Sequence, residues 1–92
     1  MKTNLMKLKV IVSPSPFSSE LLIFIYGHFA MNVVIRLTNG KGTVIRIIAC
    51  TLKKGENKVR IANLHRYAGG NYQVVIKLLN GDLLEIINLV KA

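Results

Sequence analysis

Apolar and polar residues alternate with a period of two along most of this chain. In "LMKLKVIV", Met6, Leu8, Val10 and Val12 oppose Lys7 and Lys9; in "MNVVIRLT", Met31, Val33, Ile35 and Leu37 oppose Asn32, Arg36 and Thr38. "NKVRI" sets Val59 and Ile61 against Lys58 and Arg60, and "YQVVIKLL" sets Tyr72, Val74, Ile76 and Leu78 against Gln73 and Lys77. That period sends successive side chains to opposite faces of a strand, one face buried and one wet. Two runs are apolar on both faces, Leu21–Tyr26 and Val44–Leu52 apart from Arg46, and are expected to be central strands or strands covered by a partner. The pattern predicts about seven strands, near Leu5–Val12, Leu21–Tyr26, Met31–Leu37, Thr43–Leu52, Lys58–Ile61, Asn71–Leu79 and Leu83–Val90. No window carries a helical period.

Glycines punctuate these runs. Asn80-Gly81 predicts a two-residue hairpin turn, Asn39-Gly40-Lys41-Gly42 a longer one, and Lys54-Gly55 another. Short strands with regular turn signals in a chain of this size predict an all-β fold, an immunoglobulin-like antiparallel β-sandwich, with a small barrel as the alternative. Both prolines, Pro14 and Pro16, lie in "VIVSPSPFSS". Proline donates no backbone hydrogen bond and keeps the residue before it extended. The segment therefore suits an edge strand leaving one sheet for the other, with Phe17 plugging the end of the core. In "NLHRYAGGNY", Leu64 and a glycine pair precede Tyr72 at the head of a strand. There a tyrosine can bond back to upstream backbone and pin the crossover, Gly69-Gly70 permitting the close approach.

Ninety-two residues, 51% of them hydrophobic, make one domain with one core rather than a disordered chain. Thirteen Lys and Arg against four Asp and Glu give a net charge of +9. That favours acidic partners (nucleic acid, anionic lipid or anionic polysaccharide) without choosing among them. Lys7, Lys9, Arg36, Lys58, Arg60 and Lys77 fall on the solvent sides of strands, as a polyanion-binding face or as a solvated face that discourages edge pairing. Few aromatics alternate with them, which argues against a stacking surface for nucleic acid. Cys50 is the single cysteine, so no disulfide forms within the domain. Leu21–Met31, broken by Gly27 and His28, is too short to span a membrane. The basic start lacks an adequate apolar stretch for a signal peptide, because Pro14 cuts it off.

Candidate chemistry is sparse. Glu20, Glu56, Asp82 and Glu85 are scattered and form no acid/base pair. Cys50 with His28 or His65 has neither metal-ligand spacing nor local support as a thiol–imidazole dyad. "NGKGT" echoes the end of a phosphate loop but lacks its first glycine and its helix, and a hairpin turn accounts for it. No enzyme activity and no cofactor are expected.

From Val10 onward the chain resembles the type A C-terminal sorting domain of the type IX secretion system of Bacteroidetes. "VSPSPFSSELLI" is similar to that family's proline-bearing opening, with Ser15 where asparagine is usual. "VVIRLTNGKGTVIR" resembles its hairpin, "LKKGENKVRIANL" its glycine, alternating strand and leucine, "YAGGNYQVVIKL" its glycine–x–tyrosine strand start, and "NGDLLEIINLVKA" its terminal hairpin. The greasy "LLIFIYGHFA" departs from the pattern and suggests an additional covered face. The resemblance implies that residues 10–92 are the sorting domain, and residues 1–9 a linker or the start of the first strand. It implies a non-catalytic signal at the end of a larger precursor, with a cargo domain N-terminal to it. That precursor would pass through the periplasm to the cell surface, its partners a secretion translocon and a sortase-like peptidase. Leu89, Val90 and Lys91 become the recognition residues, and deletion of Leu89 to Ala92 is expected to block secretion while the domain still folds. Pro14, Pro16, Gly55, Leu64, Gly70, Tyr72 and Gly81 become the fold-determining ones. The alternative is an immunoglobulin-like accessory or adhesion module that binds surface glycan or another polyanion.

Overall fold

The computed structural model describes residues 8–92. Seven strands follow one another: β1 (Lys9–Ser13), β2 (Leu21–Gly27), β3 (Met31–Asn39), β4 (Val44–Leu52), β5 (Gly55–Ile61), β6 (Gly70–Leu78) and β7 (Leu83–Lys91). They form two antiparallel sheets, a three-stranded one in the order β1-β2-β5 and a four-stranded one in the order β4-β3-β6-β7. The fold is the expected immunoglobulin-like sandwich. Leu5 to Lys7, expected in the first strand, lie outside the described residues.

The inward side chains are those the alternation marks. Ile23 and Ile25 of β2, Val33, Ile35 and Leu37 of β3, and Val74 and Ile76 of β6 are fully or almost fully buried in one cluster shared by both sheets. Burying one aliphatic side chain of this size stabilises the fold by about 1.5–3 kcal/mol. β2 is central, as its two apolar faces suggest. β4 is not: among the described residues it is an edge strand, paired only with β3. Its outward Ile47 belongs to a cross-strand row over the outside of the four-stranded sheet, in which Ile47, Val75 and Ile86 flank the Arg36 side chain.

The turns correct a second expectation. Asn80-Gly81 does not make a two-residue turn. Gly81 N–H donates to the Leu78 carbonyl (2.9 Å) and Leu78 N–H to the Asp82 carbonyl (2.8 Å), so Leu79 joins the loop. Only Gly81 has positive φ (98°) there. This is a three-residue loop, a β-turn followed by a left-handed glycine. The β3–β4 hairpin repeats it, with Gly42 N–H donating to Asn39 O (3.0 Å) and φ of 83° at Gly42. Each loop is accompanied by a register shift, at Leu37/Thr38 and at Ile76/Lys77. β5 begins three residues earlier than its alternation indicates, at Gly55. The Asn57 amide holds that start, bonding the Lys53 and Gly55 carbonyls at 3.0 and 3.1 Å and the Ile25 carbonyl at 3.2 Å.

The proline segment does cross between sheets. After β1 ends at Ser13, Phe17 forms a parallel bridge with Lys91 of β7, at the edge of the other sheet. The bonds preceding Pro14 and Pro16 are cis, and both prolines are exposed. Phe17 is 1% exposed and plugs the core as expected. Its ring meets Tyr72 edge-on, with centroids 5.5 Å apart. The Tyr72 hydroxyl donates to the Ala68 carbonyl at 2.5 Å, which is the tyrosine corner read from "YAGGNY". Leu64 is fully buried, and its N–H donates to Ser19 O at 2.8 Å. Phe17→Ala should cost about 3–5 kcal/mol in a urea unfolding measurement, because it opens a cavity where the sheets meet. Tyr72→Phe keeps the ring and loses one hydrogen bond, so its cost should be about 1 kcal/mol.

Candidate recognition surface

The end of β7 is held on three sides. On one edge it pairs with β6, Gly70 opposite Lys91 and Asn71 opposite Val90. On the other, Phe17 N–H donates to the Val90 carbonyl (3.1 Å) and Ala92 N–H to the Phe17 carbonyl (2.8 Å). Beneath it lies Gly69, where a Cβ would stand 3.2 Å from the Lys91 and Ala92 carbonyl oxygens. A side chain at Gly69 would thus crowd the last two residues, and Gly70 has a φ of 135°, which side chains rarely adopt. Gly55 (98°) needs glycine for the same reason.

Within this clasp the three expected recognition residues separate. Leu89 packs into the core, Lys91 is 6% exposed, and Val90 is 51% exposed on the outer face of the sheet. Only Val90 offers its side chain to a partner. Lys91 runs its aliphatic stem inward, a common habit of long basic side chains at the margin of a core. Removing Leu89 to Ala92 would therefore take away buried surface and the Phe17 bridge together. The expectation that the tail can be deleted without unfolding the domain does not fit this placement. Toward its start, however, β7 has an open edge: among the described residues, nothing pairs with the side of Leu83–Asn88 that faces away from β6.

Amides surround Val90. Asn71 is its cross-strand neighbour, and Gln73 donates to Asn88 Oδ1 at 2.9 Å one row away. With Thr38, Asn39 and Gly40 they line a depression of about 460 Å³ without a charged residue. The Asn39 side chain is already engaged, its Oδ1 accepting from the N–H groups of Lys41 and Thr43 at 2.9 Å each. Asn71, Gln73 and Asn88 are exposed. The sequence reading missed this amide cluster, because the residues come from three strands and only the register brings them together.

The basic residues do not form one face. Lys9, Lys58 and Arg60 lie outside the three-stranded sheet, Arg36 and Lys77 outside the four-stranded one, and Lys7 lies outside the described residues. Arg60 pairs with Glu20 at 2.5 Å on an exposed surface, where such a pair contributes little. Arg36 is not simply solvated: its Nε is buried among its neighbours with no acceptor. At the sandwich flank, Arg46 Nη1 donates to the Tyr67 hydroxyl at 2.6 Å, and its guanidinium stacks 5.2 Å from the ring centroid. That hydrogen bond, aided by Arg66, lowers the Tyr67 phenol pKa from its ordinary value despite some burial.

Cys50 faces inward, opposite Val33, and packs against the core. Burial pushes its thiol pKa up, away from the reactive thiolate. Among the described residues no group of three His, Cys, Asp or Glu side chains is placed to hold a metal, and no helix is long and apolar enough to cross a membrane.

Comparison with models of known protein families returns no match, and no curated protein sequence matches the chain.

Val90→Ser should leave stability within about 0.5 kcal/mol of the parent, as expected for an exposed position. Truncation after Asn88 should instead lower it by several-fold more, about 3 kcal/mol or greater, since it removes buried Leu89 and strips Phe17 of its partners. Urea midpoints of the two variants check this.

Proposed function

We propose that this domain is a non-catalytic sorting signal. It directs an N-terminally fused cargo through a type IX secretion translocon to the cell surface, where a sortase-like peptidase acts on the precursor. The ordered run of motifs from "VSPSPFSS" to "NLVKA" supports this reading. The observation that carries it furthest is the open edge of β7 along Leu83–Asn88, next to exposed Val90. An extended segment of a receptor can add to such an edge. Backbone hydrogen bonds then supply affinity, and outward side chains such as Val90 and Asn88 supply discrimination. The buried neighbours Leu89 and Lys91 act indirectly, by fixing the strand in the register that presents Val90.

One observation favours a second reading, an accessory module that binds surface glycan. Side-chain amides both donate and accept, so an uncharged depression bounded by Asn71, Gln73 and Asn88 matches the paired hydroxyls of a sugar. A glycan array probed with the protein and with Asn71→Ala plus Gln73→Ala decides it, binding that the double variant abolishes being the supporting result.

The sorting reading is tested with a reporter fused to residues 10–92 in a bacterium that has the type IX machinery. The fusion should reach the surface. Val90→Asp, which adds a charge at an exposed site without touching the core, should reduce surface reporter to the level of an untagged control. Undiminished surface display of Val90→Asp, or none of the parent fusion, would count against the reading.

A further inference from the structure

The outer face of the three-stranded sheet carries exposed aromatic side chains beside an aliphatic one. Ile11, Phe24, Tyr26 and Phe29 are each 40–56% exposed. The first three form one patch by register, since Ile11 pairs with Phe24 and Tyr26 lies two residues along β2. Phe29 lies in the turn after β2. Gly27 brings the two turns at that end together: a Cβ there would stand 3.2 Å from the Lys53 carbonyl and 3.5 Å from that of Phe29.

Four lysines rim the patch. Lys9 lies opposite Tyr26 and Lys58 opposite Phe24 on the flanking strands. Lys53 and Lys54 project from the adjoining β4–β5 turn, and both are exposed. Glu56 is the one carboxylate set among them, opposite Tyr26, while Glu20 is held by Arg60. The cross-strand distribution therefore places aromatic and aliphatic side chains at the centre of a flat face and ammonium groups around it.

We propose that this face docks the domain onto an anionic lipid surface. Phenylalanine and tyrosine settle at the boundary between headgroups and acyl chains, and surrounding lysines pair with anionic headgroups. A second copy of the chain fits poorly, because the same four lysines would oppose one another and each copy carries +9. A single-stranded nucleic acid would stack on Phe24 and Tyr26 but has no use for Ile11, which is the most exposed member of the patch. The proposal is independent of the sorting reading: β7 and Val90 belong to the other sheet. The patch also accounts for the apolar "LLIFIYGHFA" run, half of which faces outward.

Co-sedimentation of the 92-residue chain with vesicles tests it, using phosphatidylcholine alone and phosphatidylcholine mixed with phosphatidylglycerol. The chain should sediment with the mixed vesicles and only weakly with phosphatidylcholine. Ile11→Ser should weaken partitioning roughly tenfold, the loss of one large apolar side chain from the headgroup–acyl boundary. Lys53→Glu with Lys54→Glu should lower it at least tenfold on mixed vesicles and leave the weak binding to phosphatidylcholine unchanged. Ile11 is 56% exposed and Lys53 and Lys54 lie in an exposed turn, so urea midpoints should stay close to the parent. Lys41→Glu with Lys77→Glu, the same change in charge placed on the other sheet and its β3–β4 turn, should retain binding. Absence of sedimentation with mixed vesicles overturns the proposal. So does an equal loss with Lys41→Glu plus Lys77→Glu, which would reduce the effect to net charge, or sedimentation indifferent to Ile11→Ser. Tight binding of a labelled single-stranded oligonucleotide in place of vesicles would also overturn it.

Discussion

Phe17 is where the two layers of this domain become one structure. Its backbone bonds Val90 of the four-stranded sheet and Ala92 just beyond it, while its ring closes the core against Tyr72. The chain arrives there directly from β1 of the opposite sheet. Two prolines just before it leave fewer amides needing partners during the crossing. The tyrosine corner at Ala68, the glycine pair beneath the last residues, and Leu64 bonded to Ser19 all lie around this one junction. Without it the sheets would still have matching apolar faces but would be free to slide at the end where β7 finishes.

Alternation made the strands and their inward faces readable, because half-burial of a sheet leaves a period-two trace that neither composition nor turns obscure. It did not reveal neighbours. β2 and β4 are equally apolar on both faces, yet one is central and the other is an edge. The difference lies in what the outer face of each sheet carries, and that is spread over three or four strands far apart in sequence. Turn length was hidden for a similar reason. Leu79 is apolar and reads as the last residue of β6, although it is the first residue of the loop. β5 looked shorter than it is because Glu56 and Asn57 are polar, and the bonds made by Asn57 are not visible in its spacing.

The candidate site was legible only in part. The tail was marked out by family resemblance, but the opposed fates of Val90 and Lys91 follow from the pleat: adjacent residues on one strand must point to opposite faces. The proximity of Phe17 to Lys91 has no local signal at all, since the bridge joins the two ends of the chain. The amide cluster around Val90 was missed on the same ground. Conversely, the exposed aromatics of β2 were in view as a greasy run, but their separation from the core needed the register with β1 and β5.

The pairing of β2 with β5 has a kinetic side. Gly27 faces Gly55 and Leu21 faces Ile61, so this ladder closes a loop that contains the whole of β3 and β4. Closing a long flexible loop is entropically costly, and non-local pairing of this kind slows folding to roughly the millisecond-to-second range. The β3–β4 hairpin, joined by only three residues, forms locally and folds that loop back on itself. Once that hairpin is paired, the free chain between β2 and β5 is much shorter, and so is the loop whose closure the β2–β5 ladder must bear.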